Sequence, residues 1–209
     1  MERTNGPSNP LALAVLVLLC ERPMHPYEIA ATLRMRHAEG SIKIRYGSLY
    51  TIIEGLQREC LVAVKEIVRD GRRPERTIYE ITSAGQERMR TWLRDLIEIP
   101  VKEYPKFEAA LSLLPAVPPA EAVALLEARS RRLGAMAEEI RALIEVVTKT
   151  VEPLFLVENE YRLTLVEAER QFIDDFLGRI AEDQTYTRAW KGFHPEPCRR
   201  AEEAEEGPA

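Results

Sequence analysis

The chain has little of what membrane proteins, disulfide-stapled proteins and enzymes are usually built from. No apolar stretch in its 209 residues reaches the roughly 20 needed to span a bilayer. The longest, LALAVLVLLC at 11–20, could pass for a signal-peptide core. However, Glu2 stands beside Arg3 ahead of it, and Glu21-Arg22-Pro23 follows where a small-residue cleavage site would be. It reads as a buried helix, and the expected location is cytoplasmic. The three cysteines, Cys20, Cys60 and Cys198, are far apart and odd in number, so a disulfide framework is not expected. His25, His37 and His194 are scattered. The sequence offers no nucleophile–base pair, metal-ligand spacing or glycine-rich phosphate loop. No catalytic residue, metal or cofactor is expected.

A large excess of either sign of charge is also lacking in the first half. The net charge is −5, yet residues 1–100 hold 15 Lys and Arg against 13 Asp and Glu, while residues 101–209 hold 14 against 21. Within 34–76 the count is 10 basic to 6 acidic. A chain that is basic in one segment and acidic in the other half can meet a polyanion with that segment alone.

The basic segment contains the stretch around which the chain is organised, residues 41–82. Leu49, Ile53 and Leu56 form an apolar row at helical spacing, which predicts a helix from about Gly47 to Glu59. Ser48, Thr51, Gly55 and Arg58, small or basic, occupy its other side. Two runs rich in β-branched residues follow, LVAVKEIV and TIYEIT, joined by Asp70-Gly71-Arg72-Arg73-Pro74-Glu75-Arg76. Asp-Gly signals a turn, and the proline is too far along for a two-residue hairpin. A helix with a lean outer face before a basic-tipped hairpin is the layout of a winged helix. There the helix enters the DNA major groove and the tip reaches the flanking backbone or minor groove.

Around this stretch the expected order is a frayed arm over 1–8, then a helix over about 10–20 that is apolar nearly all round. Asn9-Pro10 opens that helix and His25-Pro26 opens a second, running to about Arg36, each by a cap followed by proline. The buried row of the second helix is expected at Tyr27, Ala30 or Ala31, and Leu33 or Arg34. Ile42-Lys43-Ile44 is expected to form a short strand beside the wing. Ser83 with Gln86 suggests a capping box for a helix over about 84–98, whose apolar stripe is Met89, Trp92, Leu93 and Leu96 or Ile97.

HPYEIAATL, then YGSLYTIIEGLQRECLV, then GRRPERTIYEITSAGQE resemble, in order and spacing over about 11–90, the PadR family of bacterial winged-helix transcriptional regulators. The resemblance implies a homodimeric repressor that binds operator DNA and senses a small molecule. It makes Tyr50 the tyrosine of the recognition helix, Gly47 and Ser48 its opening pair, and Arg72 and Arg73 the wing's basic residues. Two positions depart. Pro26 replaces a glycine without harm, because proline suits a first helical turn. Cys60 stands where the family has glycine after the recognition helix. That implies either about 1 kcal/mol of strain or a different helix end, and the second is the expectation.

The second half is helical by pattern after a linker between Pro100 and Pro105. A long helix from Ala120 to about Thr150 carries Leu126, Leu133, Ile140 and Val147 seven apart. A second, about 153–182, carries Leu154, Tyr161 and Ala168 at one heptad position and Val157 or Glu158, Leu165 and Phe172 at the other. Two such seams are expected to need a second chain to bury them. FEAALSLLP and LFLVENEYRLTLVEAE also resemble the family's helical dimerisation region, less specifically. In a two-fold dimer the recognition helices would meet major grooves about 34 Å apart.

The expected architecture is thus mainly α with a small β wing: a winged helix-turn-helix domain over 9–98, a helical dimerisation domain over 105–190, and flexible ends at 1–8 and 192–209. The DNA-contact candidates are Lys43, Arg45, Tyr46, Ser48, Tyr50, Thr51, Arg72, Arg73 and Arg76. For each there is a plainer role: the arginines as a solvated loop, Tyr50 as core, Ser48 and Thr51 as surface. Trp92, Tyr104 and Phe107 are candidates for an effector pocket, although aromatic residues at helical spacing are more often core. Leu126, Leu133, Ile140, Val147, Tyr161, Leu165 and Phe172 are the dimerisation candidates. The alternative to a DNA-binding regulator is a winged-helix protein-interaction module whose main surface is the acidic helical pair. The lean helix face counts against it, since a protein-binding surface would want large exposed apolar residues there.

Overall fold

The computed structural model of the chain describes residues 9–44, 46–69 and 75–193, in two compact units that divide between Lys102 and Glu103. The arm expected over 1–8 and the tail beyond Phe193 lie outside the described residues. None of the described helices is long and apolar enough to cross a membrane.

The first unit opens with α1 (Pro10–Glu21), which Asn9 caps by accepting the Leu11 N–H at 3.0 Å. Six of its leucines and valines are buried, and α1 forms the centre of the unit's core. The next helix, α2 (Pro26–Met35), has a full capping box: His25 Nδ1 accepts the Tyr27 N–H at 3.1 Å, and Glu28 Oε2 accepts the His25 N–H at 2.9 Å. Its inner row is Pro26, Ile29, Ala30 and Leu33, and Tyr27 is 64% exposed. The row expected from periodicity is one residue out of phase, because it starts from Tyr27, the first large side chain of the helix. Arg36 and Glu21 join the ends of the two helices by a paired contact at 2.6 and 2.7 Å.

A 3-10 turn (Ala38–Gly40) leads to α3 (Tyr46–Arg58), then β1 (Val62–Val68), β2 (Arg76–Ile81) and α4 (Ser83–Glu98). The strands are antiparallel, from Val62 opposite Ile81 to Val68 opposite Arg76, with a bulge between Val64 and Glu66. Ile42-Lys43-Ile44 is not a strand. The chain that pairs with the wing is at Met24, which exchanges backbone hydrogen bonds of 3.0 Å with Tyr79 in both directions. Met24 is 1% exposed, so burial of its side chain between α1 and α2 fixes that bridge. Ile42 and Ile44 instead lay their side chains on the core from irregular backbone.

The end of α3 also differs from expectation. Cys60 sits in the left-handed region at φ 58°, in the place glycine would take. The Cys60 N–H bonds to the Gln57 carbonyl at 3.0 Å and the Leu61 N–H to the Leu56 carbonyl at 2.9 Å, the two bonds of a Schellman end. Leu56 and Leu61 are both buried and provide the apolar contact that goes with it. The paired bonds and that contact outweigh the cost of a Cβ in this conformation, so the helix ends where a glycine would have ended it.

α4 starts one residue earlier than the expected capping box. Its cap is Thr82, whose Oγ1 accepts the Gly85 N–H at 3.0 Å while its hydroxyl proton faces the carbonyls of Cys60 at 2.8 Å and Leu61 at 3.1 Å. Gly85 lies flat against that turn: a Cβ there would be 2.1 Å from the Leu61 oxygen. Met89, Trp92 and Leu93 continue the stripe into the core, whereas Leu96 and Ile97 are 51% and 84% exposed.

The second unit contains α5 (Lys106–Ser112), α6 (Pro119–Val147), α7 (Val157–Glu182) and α8 (Gln184–Phe193). α6 and α7 form an antiparallel pair with their own core of Leu126, Leu133, Ala137, Ile140, Val166 and Ile173. Ser130 donates to Asp174 at 2.6 Å, Arg129 pairs with Glu169 at 2.6 Å, and Arg141 pairs with Glu167. Contrary to expectation, the first seam is filled within the chain: α6 buries Leu126, Leu133 and Ile140 against α7. The row that meets it is Asn159, Val166 and Ile173, not the expected heptad row of the second helix, whose Leu154, Tyr161, Leu165 and Phe172 are exposed. The second long helix begins at Val157 after a 3-10 turn at Pro153–Phe155. α8, which the heptad reading does not separate, extends through Gly192, where a tail was expected to begin.

Two substitutions test the junction after α3. Gly85→Ala should destabilise the chain by about 3 kcal/mol, because backbone must shift to admit the methyl group. Cys60→Gly should stabilise it by about 0.5–1 kcal/mol, the left-handed penalty removed less the added freedom of the unfolded chain. Urea denaturation of the full chain measures both.

Candidate nucleic-acid interface

Burial divides α3 into two faces. Leu49, Ile53 and Leu56 are 0%, 1% and 4% exposed, and this row locks the helix to α1 and α2. On the other side Gly47, Ser48 and Thr51 are exposed near the helix start, with Tyr50 47% exposed beside them. Thr51 Oγ1 donates to the Gly47 carbonyl at 3.2 Å, so its hydroxyl lies along its own helix. A Cβ at Gly47 would meet nothing within 4 Å. Small side chains at the positive end of a helix let an anionic backbone approach closely. Tyr46 opens the helix, and Lys43 is exposed just ahead of it. Arg45, Arg72 and Arg73 lie outside the described residues. At the base of the wing, Arg69 Nη2 pairs with Glu75 at 3.0 Å.

Two residues that sequence reasoning passes over belong to this region. Tyr79, half-buried on β2, has its hydroxyl held above the usual 10.0 by burial first, and then by the charges of Glu54 and Tyr50. It remains a neutral hydroxyl. Period-two alternation puts it on one face of the strand with Thr77 and Ile81, and only the folded chain brings it within electrostatic reach of Glu54 and Tyr50 on α3. The other is His25. The antiparallel bridge runs Arg76, exposed at the start of β2, alongside the start of α2. Burial, and after it the positive charge of Arg76, holds the His25 imidazole below the usual 6.5, with Glu28 opposing.

Residues 15–91 match the transcriptional regulator PadR-like family. They form a PadR-like domain. Solved structures are similar over more of the chain. PadR of Bacillus subtilis in complex with operator DNA superposes at a TM-score of 0.66, with 17% identity, over 83% of this chain and 99% of that one. The same protein in complex with p-coumaric acid gives 0.65, 16%, 84% and 99%. Smu.1604c from Streptococcus mutans gives 0.57, 17%, 81% and 99%. At these identities the likeness is one of fold, and it extends to the helical second unit. No curated protein matches the chain in sequence.

The remaining candidates fall in two separately folded units. Trp92 is buried in the core of the first unit, 7% exposed, with Arg88 over its ring at 5.6 Å and its indole N–H without a partner. Tyr104, 83% exposed, and Phe107 belong to the second unit. Phe107 packs on that unit's core beneath the guanidinium of Arg129, 3.8 Å from its ring centre. Of the dimerisation candidates, Leu126, Leu133 and Ile140 are buried within the chain, Val147 is half-buried, and Tyr161, Leu165 and Phe172 are exposed.

The cap of α2 gives a pH prediction. Neutral His25 accepts the Tyr27 N–H, and its folded pKa is depressed, so its contribution is complete above the unfolded value of 6.5 and is lost as pH falls through the folded value. The melting temperature should therefore fall more steeply from pH 7 to pH 5 in the natural chain than in His25→Asn, which keeps a cap that does not titrate. Parallel melting curves for the two proteins would disprove the assignment.

Proposed function

We propose that the chain is a homodimeric transcriptional repressor that binds double-stranded operator DNA through α3 and the wing and responds to a small-molecule effector. The observation that carries this is the lean outer face of α3. Its first turn offers Gly47, Ser48 and Thr51 to solvent, while every large aliphatic side chain near them faces the core. A face without large aliphatic side chains suits a groove lined with phosphate and base edges better than it suits a protein partner. Ser48, Tyr50 and Thr51 would contact the groove, and Lys43, Arg45, Tyr46 and Arg76 its borders. Arg72 and Arg73 would reach the flanking backbone from the wing.

The similar Bacillus subtilis structures, one with operator DNA and one with p-coumaric acid, support both halves of this reading. The second unit would supply the dimer contact through residues its own hairpin leaves uncovered, among them Tyr161, Leu165 and Phe172. Leu126, Leu133, Ile140 and Val147 would hold the hairpin in shape from within.

Fluorescence anisotropy with the full chain and duplex DNA from upstream of its own gene tests this. Saturable binding tighter than to a scrambled duplex is expected, with an affinity that falls steeply as salt rises. Arg72→Ala with Arg73→Ala should weaken it on every duplex and flatten the salt dependence by about one unit of slope for each phosphate no longer neutralised. Absence of binding to any duplex at low salt would overturn the proposal in favour of a protein-interaction module.

A further inference from the structure

The second unit contains a cavity of about 340 Å³ beneath α8. Its walls come from three places in that unit: Leu111 and Leu114 around the end of α5, Phe176 on α7, and Tyr186, Trp190 and Phe193 on α8. Tyr186, Ala189, Trp190 and Phe193 recur at helical spacing, so α8 turns one apolar stripe toward the space. Two contacts hold the helix at this distance. The Trp190 indole N–H donates to the Val117 carbonyl at 3.0 Å, and the rings of Phe176 and Tyr186 meet edge to face at 5.7 Å. Since the indole N–H is already used, Trp190 is a wall and an anchor.

An apolar recess of this size lies within the range of small-molecule pockets. None of the described residues that line it is charged, and the Tyr186 hydroxyl is the one side-chain polar group among them apart from the occupied indole N–H. We propose that this cavity binds a small, neutral, planar aromatic molecule with one hydrogen-bonding group, of the phenol or indole class. The rings of Phe176, Trp190 and Phe193 enclose its faces and edges, and the Tyr186 hydroxyl meets its polar end. As a binding site the cavity stands by itself. As the effector site of a repressor it rests on the function proposed above, and it would place that site away from Trp92, Tyr104 and Phe107.

The test uses the full chain and 2-naphthol as probe, followed by calorimetry and thermal melting. One saturable site per chain and a raised melting temperature are expected. Ala189→Trp, which fills the space from an exposed helix position, should lower the affinity by about tenfold or more. Arg188→Ala, also exposed on α8 but not lining the cavity, should leave it unchanged. A photoreactive naphthyl azide should label the peptide holding 184–193 or Phe176, a readout that needs no variant. No saturable binding, undiminished binding in a folded Ala189→Trp chain, or labelling elsewhere would each overturn the site, including the case in which a second copy of the chain fills it. Naphthol binding with no DNA binding would count against the repressor reading alone.

Discussion

The carbonyl of Leu61 ties together the parts of the PadR-like domain that have to be held in register. It accepts the backbone N–H of Thr82 at 3.1 Å and faces the Thr82 hydroxyl at the same distance. Gly85 fits against it with no room for a methyl group. One residue earlier, Cys60 turns the chain through the left-handed conformation that ends α3. Within a few residues the exit of α3, the pairing of Val62 with Ile81 and the start of α4 are all set by one turn. The direction of α3 relative to the wing follows from it. The glycine that accommodates this arrangement is not at the turn but across from it, in α4.

The second unit is stabilised differently. α6 and α7 close on an apolar seam, and charged pairs run along its edge, Arg129 with Glu169 and Arg141 with Glu167. Such exposed pairs contribute little energy individually. Together with the Ser130–Asp174 bond they fix how far one helix slides along the other. What the hairpin buries is therefore closed to a partner, and what it leaves outside, Tyr161, Leu165 and Phe172 among it, is what a second chain would meet.

Much of this fold is legible in the sequence. The i, i+4, i+7 row in α3, the Asn9-Pro10 and His25-Pro26 starts and the alternating wing strands each encode a local preference strong enough to survive folding. Most of the departures share a cause. The exposure of Tyr27, the irregular 42–44 segment and the Thr82 cap, which reaches back to the Cys60 and Leu61 carbonyls, depend on contacts between residues apart in the chain, whereas the end of α3 is set by local bonds that outweigh the left-handed cost at Cys60. The bridge from Met24 to Tyr79 spans more than fifty positions, and no local pattern announces it. α8 escapes a sequence reading for a simpler reason: its four-residue apolar stripe is short and follows directly on a longer, stronger heptad pattern.

By itself, then, the sequence determined the order and type of most of the elements, the lean outer face of α3, and the concentration of basic charge around it. These depend on side-chain periodicity and composition, which are properties of neighbours along the chain. The tertiary structure alone decided that Met24 rather than the 42–44 segment pairs with Tyr79, and that α7 turns Asn159, Val166 and Ile173 toward α6 in place of its heptad rows. It also decided that α8 stands off from Leu111 and Leu114 far enough to leave a cavity. Each of these is set by close packing between distant segments, where a few ångströms separate a filled contact from an open one.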